Sequence, residues 1–203
     1  MLNIFKVSPS VPFASCCYLL ESMGEWAVID PSCDYETALR EHPSMEGKLK
    51  YVFITHAHFD HIYAIDRWAE KCDRIIVGEL DAPSLSDPFY NCYLGFLGVR
   101  GGYFGETESC KEGDKYPLGE LTVYVIDTPG HTKGGVSYKV ENNVFVGDTV
   151  FAGGGYGRCD LPGGDEDALW DSIFKLFSQN MIGNIYPGHG EPDTFENSIK
   201  YYK

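Results

Sequence analysis

The heptapeptide Thr55–His61, THAHFDH, holds three of the six histidines of this 203-residue chain. It continues from Lys50–Thr55 (KYVFIT), an apolar run rich in β-branched and aromatic residues that predicts a buried β-strand. His56 and His58 are two residues apart, so in extended backbone both imidazoles face the same side. The strand is therefore expected to end in two histidines that point into one space.

The heptapeptide ends in Asp60 and His61, at the predicted start of a helix. Apolar residues recur there at helical spacing, namely Ile62, Ile65, Trp68 and Ala69. Imidazole and carboxylate are ligands that zinc, iron and manganese accept. Clustering them without a cation would carry a large desolvation cost. The segment therefore predicts a metal site rather than a set of surface histidines.

Three further residues occur in matching surroundings. His131 in TPGHTKGG and His189 in YPGHGEPDT each follow a predicted strand and a Pro-Gly turn, which lets the backbone aim a side chain at a site beyond the strand end. Asp148 in VFVGDTVF also follows a strand and a glycine. By contrast, His42 is expected to be an ordinary residue at an exposed helix end. Active sites of layered folds gather at such strand ends.

Strands and helices alternate within each half of the chain, which predicts one α/β (α+β) domain, 1–203, with a sheet sandwich faced by helices. The predicted strands are 2–7, 16–20, 26–30, 50–55, 74–77, 121–127, 135–140, 143–146 and 184–186. The predicted helices are 35–42, 165–177 and 194–202, in addition to the one that begins near Asp60.

Residues 79–113 form a long stretch with little regular pattern and several prolines, glycines and aromatics. Such a stretch is typically functional or disordered. Phe89 and Tyr90 within it, together with Tyr156, are candidates for the wall of a substrate cleft. The alternative is that these rings cover the core or a subunit interface.

The composition limits the possible partners and the compartment. A formal net charge of −14 repels nucleic-acid backbones and anionic lipid. No apolar run approaches the ~20 residues that span a bilayer. Seven cysteines without a C-x-x-C pair favour free thiols in a reducing cytosol. We therefore expect a cytoplasmic protein that acts on a small molecule and binds neither nucleic acid nor membrane.

The sequence resembles the metallo-β-lactamase superfamily, whose signature H-x-H-x-D-H is present here as HAHFDH. The later motif positions also match, at His131, Asp148 and His189. The resemblance implies a four-layer αββα sandwich and a site for two divalent cations, zinc first and iron or manganese as alternatives. By resemblance, the ligands of the first cation are His56, His58 and His131, those of the second are Asp60, His61 and His189, and Asp148 bridges the two with a hydroxide.

The segments TPGHT, GDTVFAGGGYGRCDLPGGD and PGHGEPDT resemble the glyoxalase II (hydroxyacylglutathione hydrolase) branch, particularly its compact single-domain members. That branch hydrolyses thioesters such as S-lactoylglutathione. By resemblance, Asp60 would orient the attacking hydroxide and Asp148 would set the spacing of the metals. Few residues follow His189, so the helical domain that binds glutathione in full-length relatives is not expected. Arg158 is a candidate for a substrate carboxylate, with a structural ion pair to Asp160 or Asp165 as the alternative.

Two other functions compete with thioester hydrolysis. The persulfide dioxygenase branch keeps similar motifs but uses one iron, which His56, His131 and Asp148 would hold here. A non-catalytic metal-binding protein is disfavoured because all seven ligand positions are filled. A nuclease is disfavoured by the acidic composition, and a β-lactamase by the lack of a signal peptide.

Overall fold

Within residues 1–178 and 183–202, which the computed structural model describes, the chain forms two six-stranded sheets and six short to medium α-helices. The strands are β1 (Asn3–Lys6), β2 (Tyr18–Ser22), β3 (Glu25–Ile29), β4 (Leu49–Ile54), β5 (Arg74–Gly78), β6 (Glu108–Cys110), β7 (Lys115–Leu118), β8 (Leu121–Asp127), β9 (Val136–Val140), β10 (Asn143–Gly147), β11 (Asn184–Pro187) and β12 (Asp193–Thr194). The helices are α1 (Tyr35–Glu41), α2 (Phe59–Ile62), α3 (Ile65–Ala69), α4 (Tyr93–Leu97), α5 (Glu166–Ser178) and α6 (Phe195–Ser198).

The first sheet has the order β1-β2-β3-β4-β5-β6 and the second the order β12-β11-β10-β9-β8-β7. The strands β3 to β6 pair in parallel, as do β10 and β11, and the other neighbours are antiparallel. Parallel strands run in the same direction, so their carboxyl ends lie at the same edge of the sheet. That edge carries the loops that contain the histidine motifs.

The core lies in three layers of apolar contact. Between the sheets, Phe53 and Tyr138 are fully buried, and the Tyr138 hydroxyl donates to the Ile54 carbonyl across the gap (2.9 Å). Trp68 of α3 is buried on the outer face of the first sheet, and Leu169 of α5 on that of the second. This arrangement is the four-layer αββα sandwich that the sequence predicted.

The long predicted elements are present, with shifted ends. The strand β8 has the predicted bounds, and α5 is displaced by one residue. The helix predicted from Asp60 is divided into α2 and α3, and the predicted helix 194–202 consists of α6 followed by the 3-10 turn Ile199–Tyr201. The sequence did not predict β6, β7 and β12. These strands have two to four residues, too few for a periodic pattern, and they exist because neighbouring strands pair with them.

Residues 79–113 contain the 3-10 turn Ala82–Ser86, then α4 and β6. Asn91, which is fully buried, joins these parts because its side-chain amide donates to the carbonyls of Leu85 (3.0 Å) and Gly101 (3.1 Å). The Asn91 carbonyl accepts from the amide of Phe59 (2.8 Å). This segment is thereby attached to the start of α2, beside the histidine motif.

None of the helices in the described part of the chain combines the length and the apolar character that crossing a membrane requires.

Candidate metal centre

Four strand ends and the start of α2 bring the candidate ligands to one edge of the sandwich. His56 and His58 lie in the turn after β4, and Asp60 and His61 begin α2. The remaining three follow strands of the second sheet, His131 after β8, Asp148 after β10 and His189 after β11. Side chains from both sheets therefore converge on one space.

The seven side chains form three overlapping groups, and within each group the candidate ligand atoms lie no more than 4.8 Å apart. The groups are His56, His58 and His131; His56, His61 and Asp148; and Asp60, His61 and His189. His58 Nδ1 lies 2.9 Å from His131 Nε2, and His189 Nε2 lies 3.1 Å from Asp60 Oδ2. Asp148 lies between the outer groups, with Oδ1 3.3 Å from His61 Nε2 and Oδ2 3.5 Å from His131 Nε2.

The polar atoms of the cluster fit a bound cation. Buried side-chain atoms without a hydrogen-bond partner in the described chain include His56 Nε2, His58 Nε2, His61 Nε2 and Asp148 Oδ1. Each orphaned buried group carries a desolvation cost of ~1–3 kcal/mol, more if charged. These atoms lie together in one cluster, and imidazole and carboxylate are donors that zinc and iron use.

Burial and neighbouring charges set the protonation of the cluster. Burial, aided by His131, lowers the pKa of His58 to about 3, and burial with the His61 charge lowers the pKa of His56 well below its ordinary value. Burial raises the pKa of Asp148, but His61 and His131 outweigh it and the net pKa is below the ordinary value. Two neutral imidazoles and an ionised carboxylate are the forms that bind metals.

Asp30, a residue that the sequence analysis missed, orients two of the histidines. Asp30 Oδ2 lies 2.8 Å from His61 Nδ1 and also accepts from Thr55 Oγ1 (2.8 Å), which in turn lies 3.1 Å from His56 Nδ1. With Nδ1–H donated in this way, both histidines direct Nε2 at the cluster. Burial lowers the pKa of His61, but the carboxylates of Asp30, Asp148 and Asp60 outweigh it and raise that pKa well above its ordinary value. The missed signal was the Asp30-Pro31 turn after β3.

Asp81 was also missed, and it connects the two loops that carry the first group of histidines. Its Oδ2 accepts from the Ala57 amide (3.0 Å) and from Thr132 Oγ1 (2.8 Å), and its Oδ1 accepts from the Gly134 amide (2.9 Å). Ala57 lies between His56 and His58, and Thr132 follows His131. Asp81 is 1% exposed, and burial raises its pKa despite these three hydrogen bonds.

Two glycines allow the loops to approach one another. Gly147 has a φ of +51°, and a Cβ there would lie 2.5 Å from Thr55 Oγ1. A Cβ at Gly188 would overlap Asp148 Oδ1. Any larger residue at either position would displace the groups that hold or form the cluster.

The cluster opens into a cleft of about 400 Å³. Of the predicted ligands, His58, Asp60, His131, Asp148 and His189 line it, whereas His56 and His61 lie beneath. The other lining side chains are mainly apolar; they are Phe13, Phe59, Cys92, Phe96, Phe151 and Leu161, with Arg158 at the edge. A volume of this size accommodates a small-molecule substrate.

The four predicted substrate contacts have different positions. Arg158 lines the cleft, but its guanidinium is paired with Asp160, the structural alternative named above. Tyr156, Tyr90 and Phe89 are not among the lining residues. Tyr156 packs on Trp170 with ring centroids 5.2 Å apart, and Tyr90 lies under Lys133 Nζ at 5.0 Å and against Phe89. The cleft geometry gives no support to a substrate contact by these three rings.

Comparison with known proteins gives the same fold and family. The family model described as the metallo-beta-lactamase superfamily matches residues 11–189. The chain belongs to the metallo-β-lactamase superfamily. Among solved structures, the BLEG-1 B3 metallo-beta-lactamase has a TM-score of 0.87 at 27% identity, covering 98% of this chain and 97% of that one. TTHA1623, solved in a di-iron-bound form, has a TM-score of 0.82 at 28% identity, covering 97% and 98%.

Curated members of the superfamily are similar over different lengths. A probable polyketide biosynthesis zinc-dependent hydrolase, PksB of Bacillus subtilis, is 26% identical over 187 residues, covering 91% of this chain and 76% of that protein. Glyoxylase B2 of Dictyostelium discoideum is 42% identical over 91 residues, covering 44% of this chain and 31% of that protein. These names support metal-dependent hydrolysis as the general chemistry of this metallo-β-lactamase superfamily member.

Proposed function

We propose that this protein is a metal-dependent hydrolase of small thioesters, with two divalent cations at the cluster. The observation that carries the proposal is the convergence of seven imidazole and carboxylate side chains in three overlapping groups beside a cleft, with three buried ring nitrogens and one carboxylate oxygen among them lacking a hydrogen-bond partner in the described chain. His56, His58 and His131 would hold one cation and Asp60, His61 and His189 the other, with Asp148 between them. Zinc is proposed, and the related di-iron structure keeps iron as the alternative.

Such cations, when bound, lower the pKa of water towards ~7 and polarise a carbonyl group. The chain's own residues would orient the attacking water and hold the histidine rings in place. Asp60, 17% exposed at its side chain, faces the cleft and lies 3.1 Å from His189, where its carboxylate would orient an attacking water. Asp30 and the Arg158 carbonyl, 2.7 Å from His131 Nδ1, hold the rings in their orientation.

Thioesters suit this set of side chains. Water adds to the carbonyl carbon, the C–S bond breaks, and the products are a carboxylic acid and a thiol. A thiolate leaving group has a pKa near ~8.5, so it departs without a strong general acid. Arg158 at the cleft is already paired with Asp160. No dedicated general acid is needed to protonate the departing thiolate. The glyoxalase II-like segments and the partial similarity to Glyoxylase B2 support this substrate class.

Elemental analysis of natively purified protein, beside hydrolysis assays, tests the proposal. We expect about two metal ions per chain and turnover of at least one of S-lactoylglutathione and a set of simple acyl thioesters. His42→Ala is the matched control for variants of the ligands, because His42 lies outside the cluster; it is half-buried against Phe5 (ring centroids 4.3 Å apart) rather than exposed as the sequence predicted. One iron per chain with oxygen consumption on glutathione persulfide would instead establish a dioxygenase. Turnover of β-lactams alone would contradict thioester hydrolysis, and metal binding without turnover of any substrate would leave a non-catalytic role.

We also propose that the substrate is a small molecule and that the protein works in the cytoplasm. The size of the cleft supports the first point. All seven cysteines are free thiols, which supports a reducing compartment. The net charge of −14 supports the absence of nucleic-acid and membrane partners.

A further inference from the structure

The cleft beside the cluster has an aromatic wall built from three separate parts of the chain. The ring of Phe59, between His58 and Asp60 in the sequence, lies 5.6 Å from that of Phe13 and 5.4 Å from that of Phe96. Phe96 belongs to α4 and is 53% exposed, so the wall extends from the cluster to the surface. A substrate bound at the cluster would lie along apolar carbon on this side.

A second apolar surface lies beside another candidate ligand. The ring of Phe151 is 6.0 Å from that of His189, and Leu161 also lines the cleft. Phenylalanines and candidate ligands of both outer groups therefore line the same cleft. Whichever way a thioester is placed, apolar surface is available to the acyl part and to the thiol part.

Arg158 is the one lysine or arginine among the lining residues that the structure describes. Its Nε and Nη2 each donate to a different oxygen of Asp160, both at 2.6 Å. This is the two-point geometry in which arginine binds a substrate carboxylate. Asp160 is two residues away in the chain and loses no translational freedom on pairing, so a substrate carboxylate has to displace a tethered competitor.

The rest of the chain adds to this effect. A net charge of −14 disfavours the approach of anionic substrates, and this effect weakens as salt increases. Glutathione carries two carboxylates and one ammonium group, so a basic side chain in the cleft would favour the binding of its thioesters. The cleft offers such a substrate one guanidinium that is already neutralised.

We propose that the cleft selects thioesters with apolar, uncharged groups on both sides of the thioester carbonyl, and that Asp160 competes for Arg158 and so weakens its binding of carboxylate-bearing thiols such as glutathione. The proposal rests on the proposed thioester hydrolysis and narrows its substrate class. It assigns selectivity to two features, the Phe13–Phe59–Phe96 wall and the Arg158–Asp160 pair.

The first experiment compares one acyl group on two thiols, the neutral N-acetylcysteamine and glutathione, with metal-loaded wild-type protein. We expect kcat/KM to be at least about tenfold higher for the neutral thioester, and higher for hexanoyl or benzoyl than for acetyl groups, since each buried methylene contributes ~0.8 kcal/mol at most. A preference for the glutathione thioester would overturn this inference and leave the proposed function intact. Hydrolysis of neither would overturn both.

The second experiment separates the aromatic wall from general folding. Phe96→Ala should lower kcat/KM about 3- to 10-fold more for the benzoyl thioester than for the acetyl thioester. Phe104→Ala is the matched control, because Phe104 is 76% exposed and is not a lining residue. Equal losses for both acyl groups in Phe96→Ala, or equal effects of the two variants, would contradict the assignment of the wall.

The third experiment releases Arg158. Asp160→Asn should raise the ratio of kcat/KM for the glutathione thioester to kcat/KM for the neutral thioester about 2- to 5-fold, the range of one exposed charge pair. Asp171→Asn, which removes one exposed negative charge on α5, is the matched control for net charge. The gain should shrink at high salt. An unchanged ratio between the two thioesters in Asp160→Asn would overturn the role of the pair.

Discussion

Replacing Asp81 by alanine removes the carboxylate that joins the loop of His56 and His58 to the loop of His131. The variant leaves the amides of Ala57 and Gly134 and the hydroxyl of Thr132 without their acceptor. The hydroxyl can rotate towards another partner, whereas the two amides are fixed by the backbone. Two buried donors without acceptors are therefore the expected consequence.

The magnitude follows from these donors. Each unsatisfied buried amide costs ~1–3 kcal/mol, so the two cost ~2–6 kcal/mol together. Part of this is offset, because burial raises the pKa of Asp81 and the native carboxylate is itself costly to bury. We expect the free energy of unfolding to fall by ~2–4 kcal/mol, with a smaller loss for Asp81→Asn, which keeps one acceptor oxygen.

Urea unfolding of metal-free and metal-loaded protein measures this change, with metal affinity measured by competition with a chelator. The metal-free protein should already be destabilised, since Asp81 is not itself a predicted ligand. Metal affinity should also fall, since two ligand loops lose their common anchor. Asp73→Ala, at an exposed aspartate, should change stability by no more than ~0.5 kcal/mol.

Two results would refute this reasoning. A metal-free Asp81→Ala protein as stable as wild type would show that the three hydrogen bonds contribute little. A destabilised protein with unchanged metal affinity would show that Asp81 supports the fold without organising the site.

Four further predictions concern the cluster and the core. His58→Ala should abolish hydrolysis and lower bound metal in elemental analysis, whereas His42→Ala should do neither; retained activity would exclude His58 as a ligand. Asp148→Asn should weaken both metals, measured by chelator competition, and loss of one metal alone would contradict its bridging position. Dialysis against a chelator should abolish turnover and lower the Tm, and added zinc should restore both, so a chelator-resistant enzyme would refute the mechanism. Tyr138→Phe should cost ~1 kcal/mol in urea unfolding by removing the buried hydrogen bond from the Tyr138 hydroxyl to the Ile54 carbonyl between the sheets, with unchanged metal content.

Much of the cluster could be predicted because its geometry is local. His56, His58, Asp60 and His61 lie within six consecutive residues after one strand, so the end of β4 and the start of α2 keep these four polar groups together. His131 and His189 were identifiable because each follows a strand and a Pro-Gly turn. The sheet sandwich faced by helices was predictable from apolar strands such as β8 and from the amphipathic α5, and the resemblance to the superfamily implied its four αββα layers.

What the sequence by itself determined was therefore the set of ligand types and the elements that deliver them, because those signals lie within a few neighbouring residues. Only the tertiary structure decided which distant residues meet. Asp30 lies 31 positions before its partner His61 in the sequence, and Asp81 lies 51 positions before its partner Thr132. No local sequence pattern encodes such contacts. The same holds for the cleft wall, where Phe59 packs against Phe13, which precedes it in the sequence, and against Phe96, which follows it. Their packing depends on how the two sheets and the 79–113 segment close around the site.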